Sequence, residues 1–210
     1  MASVPTGFLR SLEYMRRLPD TYTSVSENTL IHDARNDFAG IAIRNGFDRV
    51  LWIDSDMTFK PDLLTGLSED MDEGRDMVCG LFFKRVSPTM PVILDRFETR
   101  THPDGEEYIK PVLKTDYPRD AIFEVAGCGF AAVMTSVPLL KAMWDKYGPP
   151  FSYHSNLGED YSFCWRAKEI GAKIWCDSSI KVGHIGQAVY SEATWDAQQS
   201  RQPIPTEGEE

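Results

Sequence analysis

The chain has 210 residues, 42% hydrophobic and 26% charged, an ordinary balance for one domain with a sizeable core. Its formal net charge of −10 argues against tight nonspecific binding to nucleic acid or an anionic membrane, since both attractions need a basic surface. No apolar run nears the roughly 18 residues that span a bilayer. The start, MASVPTG, lacks the pattern of a secretory leader. Four cysteines without CxxC spacing read as reduced, buried thiols, so the expectation is a soluble, cytoplasmic protein with no membrane anchor.

In chain order, Ala2 to Val4 reads as a short first strand stopped by Pro5-Thr6. Phe8, Leu12 and Met15 then repeat at helical spacing until Pro19-Asp20. A second helical pattern runs from Thr29 to Asn45 and ends at Gly46. Arg49 to Ile53 is a near-continuous apolar strand, of the kind found inside sheets covered on both faces. Pro61 suits the first turn of a helix that reaches about Gly74. Met77 to Phe83 reads as another buried strand. PVILDRFETR and EEYIKPVLKT flank the turn signal His102-Pro103-Asp104-Gly105, which predicts a hairpin. Phe123 to Ala126 and FAAVM are strand-like, with Gly127-Cys128-Gly129 between them. Helices are predicted at Pro138 to Tyr147 and over YSFCWRAKEIG, then a short strand at Lys173 to Trp175. From Gln187 the chain turns polar, then Pro-rich and acidic. The alternation of strands and helices is that of an α/β protein.

Asp54-Ser55-Asp56 falls at the carboxyl end of an apolar strand, where open α/β sheets bind ligands. Two carboxylates at i and i+2 point to one side of a strand and can converge on a hard cation such as Mg²⁺ or Mn²⁺. A solvated turn in which either Asp caps the next helix accounts for the same residues. Glu159-Asp160 opens a helix, and acids at that position are also explained by the helix dipole alone. His184 sits between Gly183 and Ile185. Arg35 offers a planar cation suited to phosphate, or to an ion pair with a neighbouring acid such as Asp33.

Four stretches in fixed order carry a resemblance: Ala34-Arg35-Asn36, then LWIDSDMTFKPDLL, then AGCGFAAVM, then LGEDYSFCWRAKEIGAKIWCDSSIKVGHIG. Together they resemble the glycosyltransferases of the GT-A fold, the inverting, DxD-containing, family 2-like group in particular. The resemblance implies an α/β, Rossmann-like nucleotide-diphospho-sugar transferase domain over residues 1–186. It would have a mostly parallel central sheet, an antiparallel hairpin insertion near 91–115, and a tail at 187–210 that closes as a lid before a disordered end. Trp195 would serve that closure or pack on the core.

The same resemblance implies a site. Asp54 and Asp56 would hold Mn²⁺ or Mg²⁺, with His184 completing the metal set. Asp160 would be the general base, and Glu159 would orient the acceptor or its loop. Pro5, Thr6, Arg35, Ser55, Gly127 and Gly129 would meet the nucleotide-sugar donor, a UDP-sugar first among the candidates. The acceptor would be a hydroxyl on a glycan, a protein, a lipid-linked sugar or a modified nucleic acid. PDTYTSVSEN departs from the pattern, lacking the acidic residue with which the family reads the base. Two other functions stay open: a nucleotide-sugar-binding module or scaffold without turnover, and a nucleotidyltransferase. The latter is disfavoured by a single Gly and a single Arg in MASVPTGFLR, too few for a triphosphate loop.

Overall fold

The computed structural model describes residues 4–186 and 188–200. In chain order the elements are α1 (Thr6–Tyr14), α2 (Ile31–Asn45), β1 (Arg49–Ile53), β2 (Met57–Thr58), α3 (Leu63–Asp72) and β3 (Met77–Leu81). There follow β4 (Ile93–Thr101), β5 (Glu107–Leu113), β6 (Ile122–Val125), β7 (Gly127–Cys128), β8 (Ala132–Ser136) and α4 (Val137–Tyr147). The last third holds α5 (Glu159–Glu169), β9 (Ile174–Lys181), β10 (Gly183–Ile185), β11 (Val189–Tyr190) and α6 (Glu192–Gln199).

The helix ends follow local chemistry. Gly46 closes α2 in the left-handed conformation at φ 68°, and its N–H bonds back to carbonyls of the last turn. Ser136 caps α4 by accepting from the Leu139 N–H at 3.2 Å, with Pro138 in the first turn. The hairpin forms as its turn signal predicts: β4 and β5 pair antiparallel from Leu94–Leu113 out to Thr101–Glu107.

The main sheet has the order β1-β8-β3-β9-β6. Every residue of β3 is buried, and its side chains alternate between two cores. Met77, Cys79 and Leu81 join α2, α4 and α5 on one face. Val78 joins α1 and α3 on the other, with Met57, Leu63 and Met134. The result is a mixed α/β protein whose sheet lies between two helical layers.

Four expectations need correction. The sheet is not mostly parallel: β3–β9 is its one parallel pair, while β1–β8, β3–β8 and β6–β9 are antiparallel. The reason is that β8 enters between β1 and β3 against their direction, which apolar content alone cannot reveal. Among the described residues β1 is an edge strand paired only with β8, not an interior one, and most of its residues are only half-buried. The first strand expected at Ala2–Val4 falls largely outside the described residues, Val4 itself has no regular structure, and Pro5-Thr6 begins α1 instead. The segment from Val189 to Gln199 is folded: α6 buries Trp195 against Phe83, with ring centroids 6.4 Å apart. The end expected to be disordered, 201–210, lies outside the described residues.

Candidate functional site

Because β8 runs against both β1 and β3, the carboxyl ends of β1, β3 and β9 share one edge of the sheet with the amino end of β8. That edge collects the candidate residues. A pocket of about 310 Å³ there is lined by Arg35, Asp54, Gly129, Glu159, Asp160 and His184. Residues from one helix, one strand end, a glycine turn, a second helix and a late two-sided strand thus face one space.

Asp54-Ser55-Asp56 is a turn between β1 and β2, not a straight strand. The Asp54 N–H donates to Ala131 O at 3.2 Å, and the Met57 N–H donates to Asp54 O at 3.3 Å. The two carboxylates meet different partners. Asp54 Oδ1 accepts from Arg35 Nη2 at 3.1 Å. Asp56 Oδ2 faces His184 Nε2 at 3.3 Å and accepts from Arg85 Nη1 at 2.5 Å. Ser55 is exposed at the tip. Removal from solvent pushes the Asp54 carboxyl above its ordinary range, with Arg35 pulling the other way. Hydrogen bonding to His184 holds Asp56 below it.

His184 arrives by strand pairing. Gly183 and His184 of β10 pair with Thr58 and Met57 of β2. A side chain at Gly183 would place a Cβ 2.5 Å from Thr58 Oγ1, so only glycine permits this approach. His184 Nδ1 lies 3.0 Å from Phe83 O, which favours a proton on Nδ1 and leaves Nε2 for Asp56 or a cation. The bond to Asp56 raises the imidazole pKa.

Arg35 is buried and acts as a strut. Nη1 donates to Glu159 Oε1 at 3.0 Å, Nη2 reaches Asp54, and the guanidinium lies 5.4 Å from the Phe130 ring centroid. The ion-pair alternative thus describes Arg35, although its partners are Asp54 and Glu159 rather than Asp33. Glu159 is correspondingly committed to Arg35. Asp160, beside it in the first turn of α5, has no ion-pair partner among the described residues. Its Oδ1 accepts from the Tyr161 N–H at 2.7 Å. Burial, and then the neighbouring Glu159, push its pKa up to about 6.

The glycines part company. A Cβ at Gly129 would lie 3.5 Å from Asp160 Oδ2 and 2.9 Å from Val92 Cγ1, so this glycine keeps the pocket wall open beside Asp160. Gly127 is packed against Leu94 and Cys164 away from the pocket, a close-packing role rather than the expected donor contact. Pro5 and Thr6 also sit elsewhere, at the start of α1 beside β2.

Two pocket residues escaped the sequence reading, Lys84 and Arg85. They follow the buried strand β3 directly. The rule that singled out the end of β1, ligands at strand carboxyl ends, would have found them.

The residues fit a divalent cation at one corner only. Asp56 offers an oxygen and His184 a nitrogen, a donor set that suits Mn²⁺ or Mg²⁺ completed by water and phosphate oxygens. Asp54 is turned to Arg35, and no group of three His, Cys, Asp or Glu is arranged to hold a metal among the described residues.

No family model matches the chain, and no curated protein matches it. Among solved structures it is similar to A197 from STIV, known from a crystal structure. The TM-score is 0.57 and the identity 17%, over 79% of this chain and 72% of that one. At that identity the likeness is one of fold alone.

Proposed function

We infer that the protein is a metal-dependent glycosyltransferase of the GT-A type, moving a sugar from a nucleotide-sugar donor to an acceptor hydroxyl with inversion. The observation that carries this reading is the meeting of Asp54, Glu159, Asp160 and His184 in one pocket at the carboxyl edge of the sheet. Asp160 is the base. A carboxylate poised near pH 6 accepts a proton from a hydroxyl better than an ordinary aspartate would, and its pocket position brings it within reach of an acceptor. Glu159 is unsuited to that step because its carboxylate is engaged by Arg35. It steadies the start of α5, and with it Asp160. Gly129 leaves room for the sugar beside the base. Asp56 and His184 would hold Mn²⁺ or Mg²⁺, which would offset charge on the departing diphosphate.

A second reading, a nucleotide-sugar-binding module without turnover, is favoured by one observation. No three metal donors are grouped among the described residues.

The test is nucleotide release from UDP-, GDP-, ADP- and CDP-sugars, with Mn²⁺ or chelator, alongside thermal shifts for binding. One donor should be slowly hydrolysed in a metal-dependent way, at a rate that rises with pH through about 6 as Asp160 ionises. Asp160→Asn should keep binding and lose about 100-fold or more in rate. Full activity in Asp160→Asn, or indifference to chelator, would sink the mechanism. Metal-dependent binding with no release from any donor would favour the silent module.

A further inference from the structure

Three cations line the pocket besides His184, and they differ in freedom. Arg35 is buried and fixed by two carboxylates. Arg85 is half-exposed, and among the described residues its guanidinium meets one partner, Asp56. Lys84 is exposed, and its ammonium has no ion pair among the described residues. The backbone beneath the last two is well anchored. The Val92 N–H donates to Phe82 O at 3.0 Å, and the Lys84 N–H to Met90 O at 2.8 Å. Thr89 is fully buried, and its N–H donates to Gln198 Oε1 of α6 at 2.7 Å. The loop base is therefore held while Lys84 stands free over the pocket and Arg85 rests on Asp56 alone.

Arg85 also occupies the oxygen that a cation needs. Its Nη1 lies 2.5 Å from Asp56 Oδ2, the same atom that faces His184. A divalent ion cannot join that oxygen while a guanidinium sits on it, because like charges repel at such range. An arriving anion with a planar, multi-oxygen face would compete for the guanidinium, and a diphosphate is such an anion.

We propose that Arg85, with Lys84 beside it, is the seat of the donor's diphosphate, and that the guanidinium leaves Asp56 for the diphosphate as the donor binds. The proposal rests on the nucleotide-sugar reading above and adds a coupling to it. The diphosphate uncovers the Asp56–His184 corner, so nucleotide and divalent cation each strengthen the other's binding by an equal factor. Arg35 cannot supply this coupling, because it is buried and held by two carboxylates at once, Asp54 and Glu159.

Isothermal titration separates the parts. Mn²⁺ alone, uridine, guanosine, adenosine and cytidine diphosphates alone, and each diphosphate with Mn²⁺ are titrated into the wild type, Arg85→Gln, Arg85→Lys and Lys84→Gln. Thermal melts confirm that these exposed positions leave the fold intact. In the wild type, Mn²⁺ should bind about tenfold or more tightly once one diphosphate saturates the site, the size of one charge-assisted contact. Arg85→Gln should bind Mn²⁺ alone about tenfold more tightly than wild type, bind the diphosphate about tenfold more weakly, and lose the coupling. Arg85→Lys should still exclude Mn²⁺ but recover only part of the diphosphate affinity. Lys84→Gln should weaken the diphosphate without affecting Mn²⁺ alone. If the wild type binds a diphosphate with Mn²⁺ and Arg85→Gln behaves identically, Arg85 is not the seat, and the donor reading survives. If the wild type binds none of the diphosphates, the donor reading falls and this proposal with it.

Discussion

Asp160 is held where its own charge is disfavoured. Its ordinary pKa is 3.8, and burial in the folded protein raises it to about 6. Between those values the folded state holds a proton that the unfolded state has lost. This contribution to stability is full below about pH 4 and disappears as pH rises through about 6. Asp160→Asn cannot ionise and escapes the penalty. Urea unfolding should find the variant close to wild type at pH 4 but more stable at pH 7.5, by up to about 3 kcal/mol. An equal gap at both pH values would show that the Asp160 charge is not strained. Arg35 makes a contrast at the same scale. Its charge is satisfied by Asp54 and Glu159, so it joins the end of β1 to the start of α5. The resemblance implies that Arg35 faces a donor, and it lines the pocket as a buried ion-paired strut. Its partner Glu159 lies 124 residues away in the chain, and no local spacing could announce that pair.

Elements with a strong period were readable before any coordinates. α2 ends at Gly46 as its cap residue predicts, and β1, β3, α4 and α5 lie close to where their apolar patterns place them. The two- and three-residue strands β2, β10 and β11 were not readable, because so few residues carry no period. Yet β2 and β10 bring His184 to Asp56. The direction of β8 was hidden too, since a buried strand reads alike in parallel and antiparallel surroundings. Gly183 is where this short pairing is most exposed to test. A Cβ there would meet Thr58 Oγ1 at 2.5 Å and Val189 Cγ1 at 2.7 Å. Gly183→Ala should destabilise the protein by about 1–3 kcal/mol through overpacking. It should also shift the His184 imidazole pKa, read by proton NMR, back toward 6.5 as the contact with Asp56 loosens. An unchanged titration would mean that β10 absorbs the methyl without moving His184.

Across the whole molecule, four cysteines from distant segments gather in one core. Cys79 and Cys176 are register partners on β3 and β9. Cys164 Sγ accepts from the Cys128 N–H and donates to Cys128 O, both at 3.4 Å. All four are free and buried, as their apolar settings in the sequence led one to expect. Ellman's reagent should therefore find no reactive thiol in native buffer and four in urea, with a reaction rate that follows global unfolding. A fast fraction under native conditions would reveal a part of this core that opens separately. The same threading governs how the sheet is built. Among the described residues β3 (77–81) gains its parallel neighbour only from β9 (174–181), and β1 (49–53) is paired by β8 (132–136). During vectorial synthesis the strands that lead to Asp54 and Arg85 must wait, unpaired and apolar, while the chain between them and their partners leaves the ribosome. The nascent protein thus passes through a window in which a holding chaperone has more to grip than it will ever have on the finished molecule.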